Sequence, residues 1–451
     1  EGKLRRTLKA YPIVFYSEKS CRIFQCSAAF SRLLNSIFLL IMSTPVLHKT
    51  GFRAWLPIIA LAFAAFVFNT SEFLPVGLLP DIAKSLHETV PFTGLILTGY
   101  AFVVAVMSLP LTIVTARFER RKLLLVLLFV FSLCHFVVPW VESFETLFAA
   151  RVGVALTHSI FWSIMTPLAA RVAPHGKRAV GLAAVMGGTI VATVLGVPIG
   201  TNLGHLFGWH MSFFIIGIGS ALVFVVIFFV LPVCEATHAG SLKSLPVILK
   251  RPGLQQLYLL TVVTVLGQFT AYSYLNPILA TAGGLDEGMI VTMLFVFGIA
   301  GIIGTVVASK TVDKHCETTL LGAMVIVCAS LALLVVSAAN TVSLTMLIVC
   351  WGAAMTAVCL AFQTVLLTVA PDAADVAASL YSGIFNVGIG GGAFIGSRVS
   401  EAAGFMPVAY VGAAIVGLSL LSLLAVKLRT GKWLLGEQTV RKVGEPVHES
   451  K

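Results

Sequence analysis

The sequence predicts an all-α, polytopic membrane protein with twelve transmembrane helices in two six-helix bundles. Three observations predict it. Hydrophobic residues make up 58% of the chain and charged residues only 11%, whereas a soluble domain carries about 25% charged residues. Apolar runs recur at the length that crosses a bilayer as a helix, roughly 20 residues. The basic residues sit in alternate short loops between those runs, which is the pattern that fixes topology. An open sheet is excluded, because lipid offers a bare strand edge no hydrogen-bond partner. The runs also exceed the roughly ten-residue alternating strands of an outer-membrane barrel.

The elements follow in order. Residues 1–54 hold no run long enough to span, since Leu33–Met42 is too short. They are expected to be an N-terminal extension, disordered or artefactual before Met42, with the functional chain starting near that residue. Lys49 and Arg53 then precede span 1 and favour a cytoplasmic N-terminus. Span 1 is expected over 55–79, with Pro57 in its first turn, where proline is tolerated. Pro80, Asp81 and Lys84 are read as the loop that ends it. Span 2, over 91–115, opens on Pro91, and Arg117, Arg120, Arg121 and Lys122 crowd the loop behind it. Span 3, over 123–140, ends at Pro139–Trp140, an interfacial anchor. Spans 4 (147–170), 5 (180–205) and 6 (209–232) complete the first bundle.

Residues 233–253 are the longest internal connection and contain no long apolar run. They divide a first bundle, 55–232, from a second, 254–426. Spans 7 to 12 are expected over 254–281, 288–309, 319–338, 343–369, 376–398 and 405–426, ahead of a polar cytoplasmic tail, 427–451. Loops after spans 2 and 4 hold seven Lys or Arg against one acidic residue. Loops after spans 1 and 3 hold one Lys against Asp81, Glu88, Glu142 and Glu145. That asymmetry places both termini inside. It also accounts for the net charge of +11 without nucleic acid, for which there is no aromatic-interleaved basic groove. The eight cysteines form no CxxC pair and no Cys/His set, so no disulfide and no metal is assigned.

Charges inside spans are costly and mark function by default. Glu72 stands in span 1 behind Asn69, Thr70 and Ser71. It is read either as a proton-coupling carboxylate or as a group that pairs to fix helix packing. Arg151, in span 4, either snorkels to the interface or points inward toward a carboxylate. His158 lies two turns further, as a proton relay or a satisfied packing group. Trp162, one turn on, either lines a sugar-sized cavity or fills packing space. In the second half Gln268, Tyr272 and Asn276 repeat at four-residue spacing on span 7, with Gln363 and Asn386 as companions. These neutral groups suit a hydroxyl-rich solute, and their other reading is interhelical hydrogen bonding.

Gly187, Gly196, Pro198 and Gly200 in span 5 suggest a gating interface, because glycine permits close helix approach. The run GIGGGAFIG of span 11 follows no soluble strand and lacks a P-loop lysine, so nucleotide binding is rejected. No catalytic carboxylate pair, lipase elbow or zinc-protease motif survives the topology. No enzyme is expected.

Several blocks resemble the major facilitator superfamily, and within it bacterial sugar efflux transporters of the SotB type. They are NTSEFLPVGLLPDIA (69–83), ERRKLLL (119–125), HSIFWSI (158–164), GSLKSLPVILKRP (240–252), TAYSYLNP (270–277) and PDAADVAASLYSGIFNVGIGGGAFIG (371–396). The loop Thr112–Arg121 is similar to the superfamily's basic loop motif. Arg117, Arg120 and Arg121 stand at its basic positions, Ala116 stands where the motif has an acid, and Glu119 is the acid that remains for an inner gate. The resemblance implies two six-helix bundles around a central cavity in the bacterial inner membrane. It implies efflux of a small sugar or related neutral solute, with protons as coupling ion and no bound cofactor. A drug or amphipathic-solute exporter of the same fold is the alternative. Membrane lipid and the solute are the expected partners, with no obligate protein partner.

Overall fold

Lipid leaves backbone groups no partner but their own segment, and each apolar run closes on itself as a helix. A computed structural model describes residues 52–174, 177–235, 250–370 and 374–430. Residues 1–51 and 431–451, with the expectations made for them, lie outside the described residues, as does most of the 233–253 connection. Phe52–Ala54 form a single 3₁₀ turn.

Twelve spans follow: α1 (Leu56–Ser85), α2 (Val90–Thr115), α3 (Arg120–Trp140), α4 (Phe144–Val172), α5 (Val180–Phe207) and α6 (Trp209–Val230). Then come α7 (Pro252–Tyr272), α8 (Glu287–Val312), α9 (His315–Ser337), α10 (Thr341–Val369), α11 (Ala374–Ala403) and α12 (Met406–Thr430). No strand occurs among the described residues. Side chains supply the N-caps where loops are short. Thr89, Glu119, Ser143, Asp286 and Asn340 each accept from backbone N–H groups in the following turn, satisfying donors that a helix start leaves free. Phe102, Phe129, Phe229 and Leu421 stay exposed on the outer faces, as side chains against acyl chains should.

The boundaries differ from expectation at prolines. α1 runs through Pro80 to Ser85, so Asp81 and Lys84 are helical rather than a loop. A proline removes one ladder bond and need not end a helix that neighbours enclose. The stop comes at His87, among the described residues the one non-glycine with positive φ, where Glu88 N–H reaches back to Ala83 O at 2.9 Å as in a Schellman end. α7 stops at Tyr272, and a separate short helix, Leu275–Gly283, follows. Pro277 explains the break, since it cannot donate to Ser273 O four residues back. α8 and α9 form one continuous helix bent at His315, whose φ −137° and ψ 46° leave the helical region.

α3 packs on α4 and α6, and α2 on α4. In the second half α7 packs on α11 and α12, and α10 on the α8–α9 pair. The halves meet where α2 packs on α11 and where α5 packs on α8. The glycines of GIGGGAFIG serve these contacts. A Cβ on Gly390 would meet Ala101 Cβ and Thr98 O of α2 at 3.1 Å, and one on Gly392 would lie 2.4 Å from Leu266 O of α7. α11 is thereby wedged between α2 and α7. On the other seam α5 carries a π turn, Ala192–Gly196, just ahead of Pro198. Val197 N–H there reaches Ala192 O, the wider bond that a proline one residue later favours. Gly298 of α8 fits onto this turn, 2.5 Å from Val194 Cα for an added Cβ.

The packing role of Gly392 is testable. Gly392→Ala should lower stability by roughly 1–3 kcal/mol, the cost of overpacking against a backbone that cannot yield. Gly187→Ala should cost nothing, because an added Cβ there meets no atom within 4 Å. Thermal unfolding of both variants in one detergent reads the difference, and equal shifts would refute the wedge.

Candidate functional site

Pro75 creates the first feature of the site. It has no N–H, so the carbonyl of Ser71, one turn back in α1, is released from the ladder. Arg151 of α4 takes it. Nη1 donates to Ser71 O at 3.0 Å and to Ser71 Oγ at 3.1 Å. Arg151 is only 2% exposed, so it points inward rather than snorkelling, and its bonds go to the Ser71 carbonyl and hydroxyl rather than to a carboxylate. Its guanidinium also lies over the Tyr100 ring of α2, 4.4 Å from the centroid, a favourable cation–π placement. Ser71 passes the bond on to His135 of α3, whose Nε2 is 2.8 Å from Ser71 Oγ and whose Nδ1 is 2.8 Å from Phe131 O. A carbonyl only accepts, so Nδ1 carries the hydrogen, Nε2 accepts from Ser71, and Ser71 accepts from Arg151. The chain of donors is directional and joins α1, α3 and α4.

Glu72 faces the other side of this cluster. Its Oε2 lies 3.5 Å from His158 Nε2 of α4, and both residues are buried. His158 Nε2 also accepts from Trp162 Nε1 at 2.8 Å. Glu72, His158 and Trp162 all border a central cavity of about 1170 Å³, so Trp162 lines space rather than only filling it. Asn69 lines the same wall and donates to Thr189 O and Thr193 Oγ1 of α5 at 3.3 and 3.4 Å.

The facing wall comes from the second half. Gln268, Tyr272, Gln363 and Asn386 line it, with Phe269, Phe297 and Phe385 between them. Trp351 Nε1 donates to Gln268 Oε1 at 2.6 Å, which turns the Gln268 amide so that its NH₂ remains the free donor. Asn276 was expected beside them and is not part of the lining. It donates to Gly77 O of α1 at 2.6 Å, because the break before Leu275 carries it off the α7 row. Its interhelical reading therefore holds.

That bond belongs to a seal at one end of the cavity. Ser397 Oγ donates to Pro91 O at 2.7 Å, and His205 of α5 stands between Asp81 of α1 (3.3 Å) and Glu287 of α8 (3.8 Å). The opposite, basic-loop end is lined by Ala116, Arg117 and Arg120. Arg120 is held by Thr115 O and Ala116 O at 3.3 and 3.2 Å, and Arg121 donates to Phe228 O of α6. Glu119 caps α3 and does not face the cavity. It accepts from Arg121 N, Lys122 N and Cys234 N at 2.7, 2.9 and 2.8 Å. Partial burial pushes its acidity down, but the N–H groups of Cys234, Arg121 and Lys122 and the Lys122 charge outweigh that and hold its carboxyl below the usual range. Gly196 and Gly200 abut Thr70 and Leu74 of α1, whereas a Cβ added to Gly187 would meet no atom within 4 Å.

Sequence reasoning passed over His135, Ser71 as its partner, Tyr100, Trp351 and His205. A histidine inside the apolar run LLFVFSLCHF is itself an intramembrane ionisable residue, and that signal was available. Trp351 and Tyr100 carry no comparable signal, since aromatic residues fill spans everywhere. Among the described residues no group of His, Cys, Asp and Glu is arranged to hold a metal.

Residues 61–397 match the sequence model of the Major Facilitator Superfamily. Among solved structures, a bacterial homologue of the human lysosomal transporter Spinster, inward-facing and unoccupied, aligns over 85% of this chain and 97% of its own at 15% identity, with a TM-score of 0.61. The inward-facing, occupied form aligns over 84% and 97% at 16% identity, with a TM-score of 0.66. A mutant of the nucleoside transporter NupG aligns over 82% and 99% at 12% identity, with a TM-score of 0.66. At these identities the likeness is one of fold.

The Glu119 cap makes a prediction with a sign. Glu119→Ala should destabilise the protein by about 1 kcal/mol, the usual worth of an N-cap. A carboxyl whose folded value is depressed stabilises above its unfolded value and loses that stabilisation as pH falls through the folded one. The difference between wild type and E119A in thermal unfolding should therefore be full at neutral pH and shrink in acid. A difference that grows in acid would contradict the assignment.

Proposed function

The chain belongs to the major facilitator superfamily, and on that premise we propose that it exports small sugars or related neutral solutes across the bacterial cytoplasmic membrane in exchange for protons. It is a multi-pass membrane transporter and not an enzyme. The observation that carries the reading is the cavity itself. It is sealed at the acidic-loop end, lined at the basic-loop end, and bordered between them, among the described residues, by one buried carboxylate, Glu72, opposite the neutral amides Gln268, Gln363 and Asn386. Basic loops mark the cytoplasmic side, so the solute enters from the cytoplasm in this conformation.

In this reading residues 55–232 and 254–426 rock about the central site, with 233–253 as a cytoplasmic linker and both termini inside. Glu72 takes a proton from outside and gives it up inside. His158 relays it, and Arg151, fixed on the Ser71 carbonyl, supplies the positive charge that tolerates the anion between those steps. Protons are the coupling ion, and no cofactor or obligate protein partner enters the cycle. Neutral amides hydrogen-bond hydroxyls without demanding a charge on the solute.

A second reading, export of amphipathic solutes or drugs, is favoured by the aromatic residues Trp162, Phe269, Tyr272, Phe297 and Phe385 on the cavity walls. The two readings separate by transport. Purified protein in sealed vesicles, with pH and voltage set independently, is given arabinose-like sugars, lactose-like sugars and hydrophobic cations. Sugar exchange driven by the pH gradient is the expected result, and movement of the cations alone would transfer the assignment to the second reading. Glu72→Gln should abolish the response to the pH gradient and leave solute-for-solute counterflow intact. A folded E72Q protein that still responds to the gradient removes Glu72 from the coupling role.

A further inference from the structure

Trp162 lines the cavity and also bonds the ring facing Glu72. An indole N–H can only donate. His158 Nε2, 2.8 Å from it, therefore offers its lone pair, and the neutral ring carries its hydrogen on Nδ1. A carboxylate oxygen likewise offers only lone pairs. An anionic Glu72 would set two acceptors against each other across the 3.5 Å between Oε2 and Nε2. The arrangement is free of that conflict when Glu72 holds a proton. While the indole occupies Nε2, that proton has no base to move to.

The remaining neighbours do not alter this. From α2, Tyr100 meets the His158 ring edge-on at 5.6 Å between centroids. From α3, His135 is committed to Ser71 and Phe131. Arg151, on the same helix as His158, is tied to Ser71 and lies over Tyr100. α1 adds Phe68 beside Glu72, 6.1 Å from the imidazole. α5 faces the cavity with Met186, Thr189 and Thr193, none of them titratable.

We propose that Trp162 is the positioning residue that links solute to proton: its indole N–H occupies His158 Nε2 and keeps the proton on Glu72 until a solute oxygen takes that N–H. Release of Nε2 then lets the proton pass from the Glu72 carboxyl to His158, leaving a carboxylate and an imidazolium with hydrogen on both nitrogens. The imidazolium borders the cavity and discharges its proton toward the basic-loop end. The proposal rests on the proton-exchange reading above, and it requires that the solute present a hydrogen-bond acceptor to the indole.

Two measurements need no solute. Protein carrying ¹⁵N-histidine in lipid vesicles, compared with His158→Asn to assign the signal, should show His158 as the neutral tautomer protonated on Nδ1. Protonation on Nε2 alone would overturn the proposal, and this result does not depend on any variant at Trp162. In infrared spectra the protonated carboxyl band that disappears in E72Q should be weaker in Trp162→Phe by roughly threefold or more, the worth of one hydrogen bond. An unchanged band overturns it as well.

A third measurement adds L-arabinose, lactose or tetraphenylphosphonium. At least one should weaken the band in wild type and not in W162F, and no response to any of the three defeats the link to solute. An E72Q protein that keeps its response to a pH gradient would instead defeat the exchange reading and leave the tautomer result standing.

Discussion

The bond from Arg151 to the Ser71 carbonyl is the contact on which the first half of the molecule depends. A guanidinium taken out of water costs several kcal/mol even after the protein relaxes. In this fold the cost is met by a carbonyl that α1 cannot use itself, because Pro75 stands one turn beyond it. The same proline therefore leaves the helix one bond short and creates the acceptor. Ser71 Oγ, His135 and Phe131 O extend the bond through three helices, and Tyr100 closes the cation from α2. Remove the proline and Ser71 O returns to the ladder, leaving Arg151 with its hydroxyl bond and an aromatic face. A single backbone defect thus sets where a positive charge can sit beside Glu72.

Close approach between halves follows a different rule. Lipid gives no hydrophobic reward for helix association, so contact must come from small residues and interhelical hydrogen bonds. The α11 glycines and Gly298 provide the first at the two seams. Asn276 to Gly77 O and Ser397 to Pro91 O provide the second, and both lie at one end of the cavity. Backbone carbonyls as acceptors make such a seal indifferent to side-chain charge. His205 differs, because its two ring nitrogens face carboxylates on α1 and α8.

Span number and type were legible in the sequence because hydropathy over twenty residues is a strong, local signal. Boundaries are less legible at prolines, which break a helix only where its neighbours do not enclose it. Pro80 lies inside α1, and the interruption at Pro277 appears as two helices instead of one long span. The cavity residues Glu72, His158, Trp162, Gln268 and Asn386 were found by asking which polar groups lie inside spans. That question cannot tell which face of a helix they occupy, and so it retained Asn276, whose row is broken by a turn three residues earlier. It also left Arg151 undecided, since snorkelling and inward placement differ only by rotation about the helix axis. Glu119 shows the remaining limit. An acidic residue among arginines reads as the acid of an inner gate, yet its bonds are to backbone N–H groups at a helix start and to the segment after α6.

A purely structural role for the Glu72 cluster can be weighed by its own hydrogen bonds. Buried polar networks stabilise when every member is satisfied, and a partly satisfied one is worse than apolar packing. This one is partly satisfied. Among the described residues His158 Nδ1, Arg151 Nε and Nη2 and Tyr100 Oη are buried with no partner, and Glu72 faces a ring nitrogen that already accepts from Trp162. A cluster kept only to hold α1 against α4 would be sealed from solvent and paired to completion. This cluster borders a large cavity, and its donors and acceptors permit more than one placement of a proton. Of these groups His158 also lines the cavity, and a group at a cavity edge can change partners, as the proposed exchange of a proton for a solute would require.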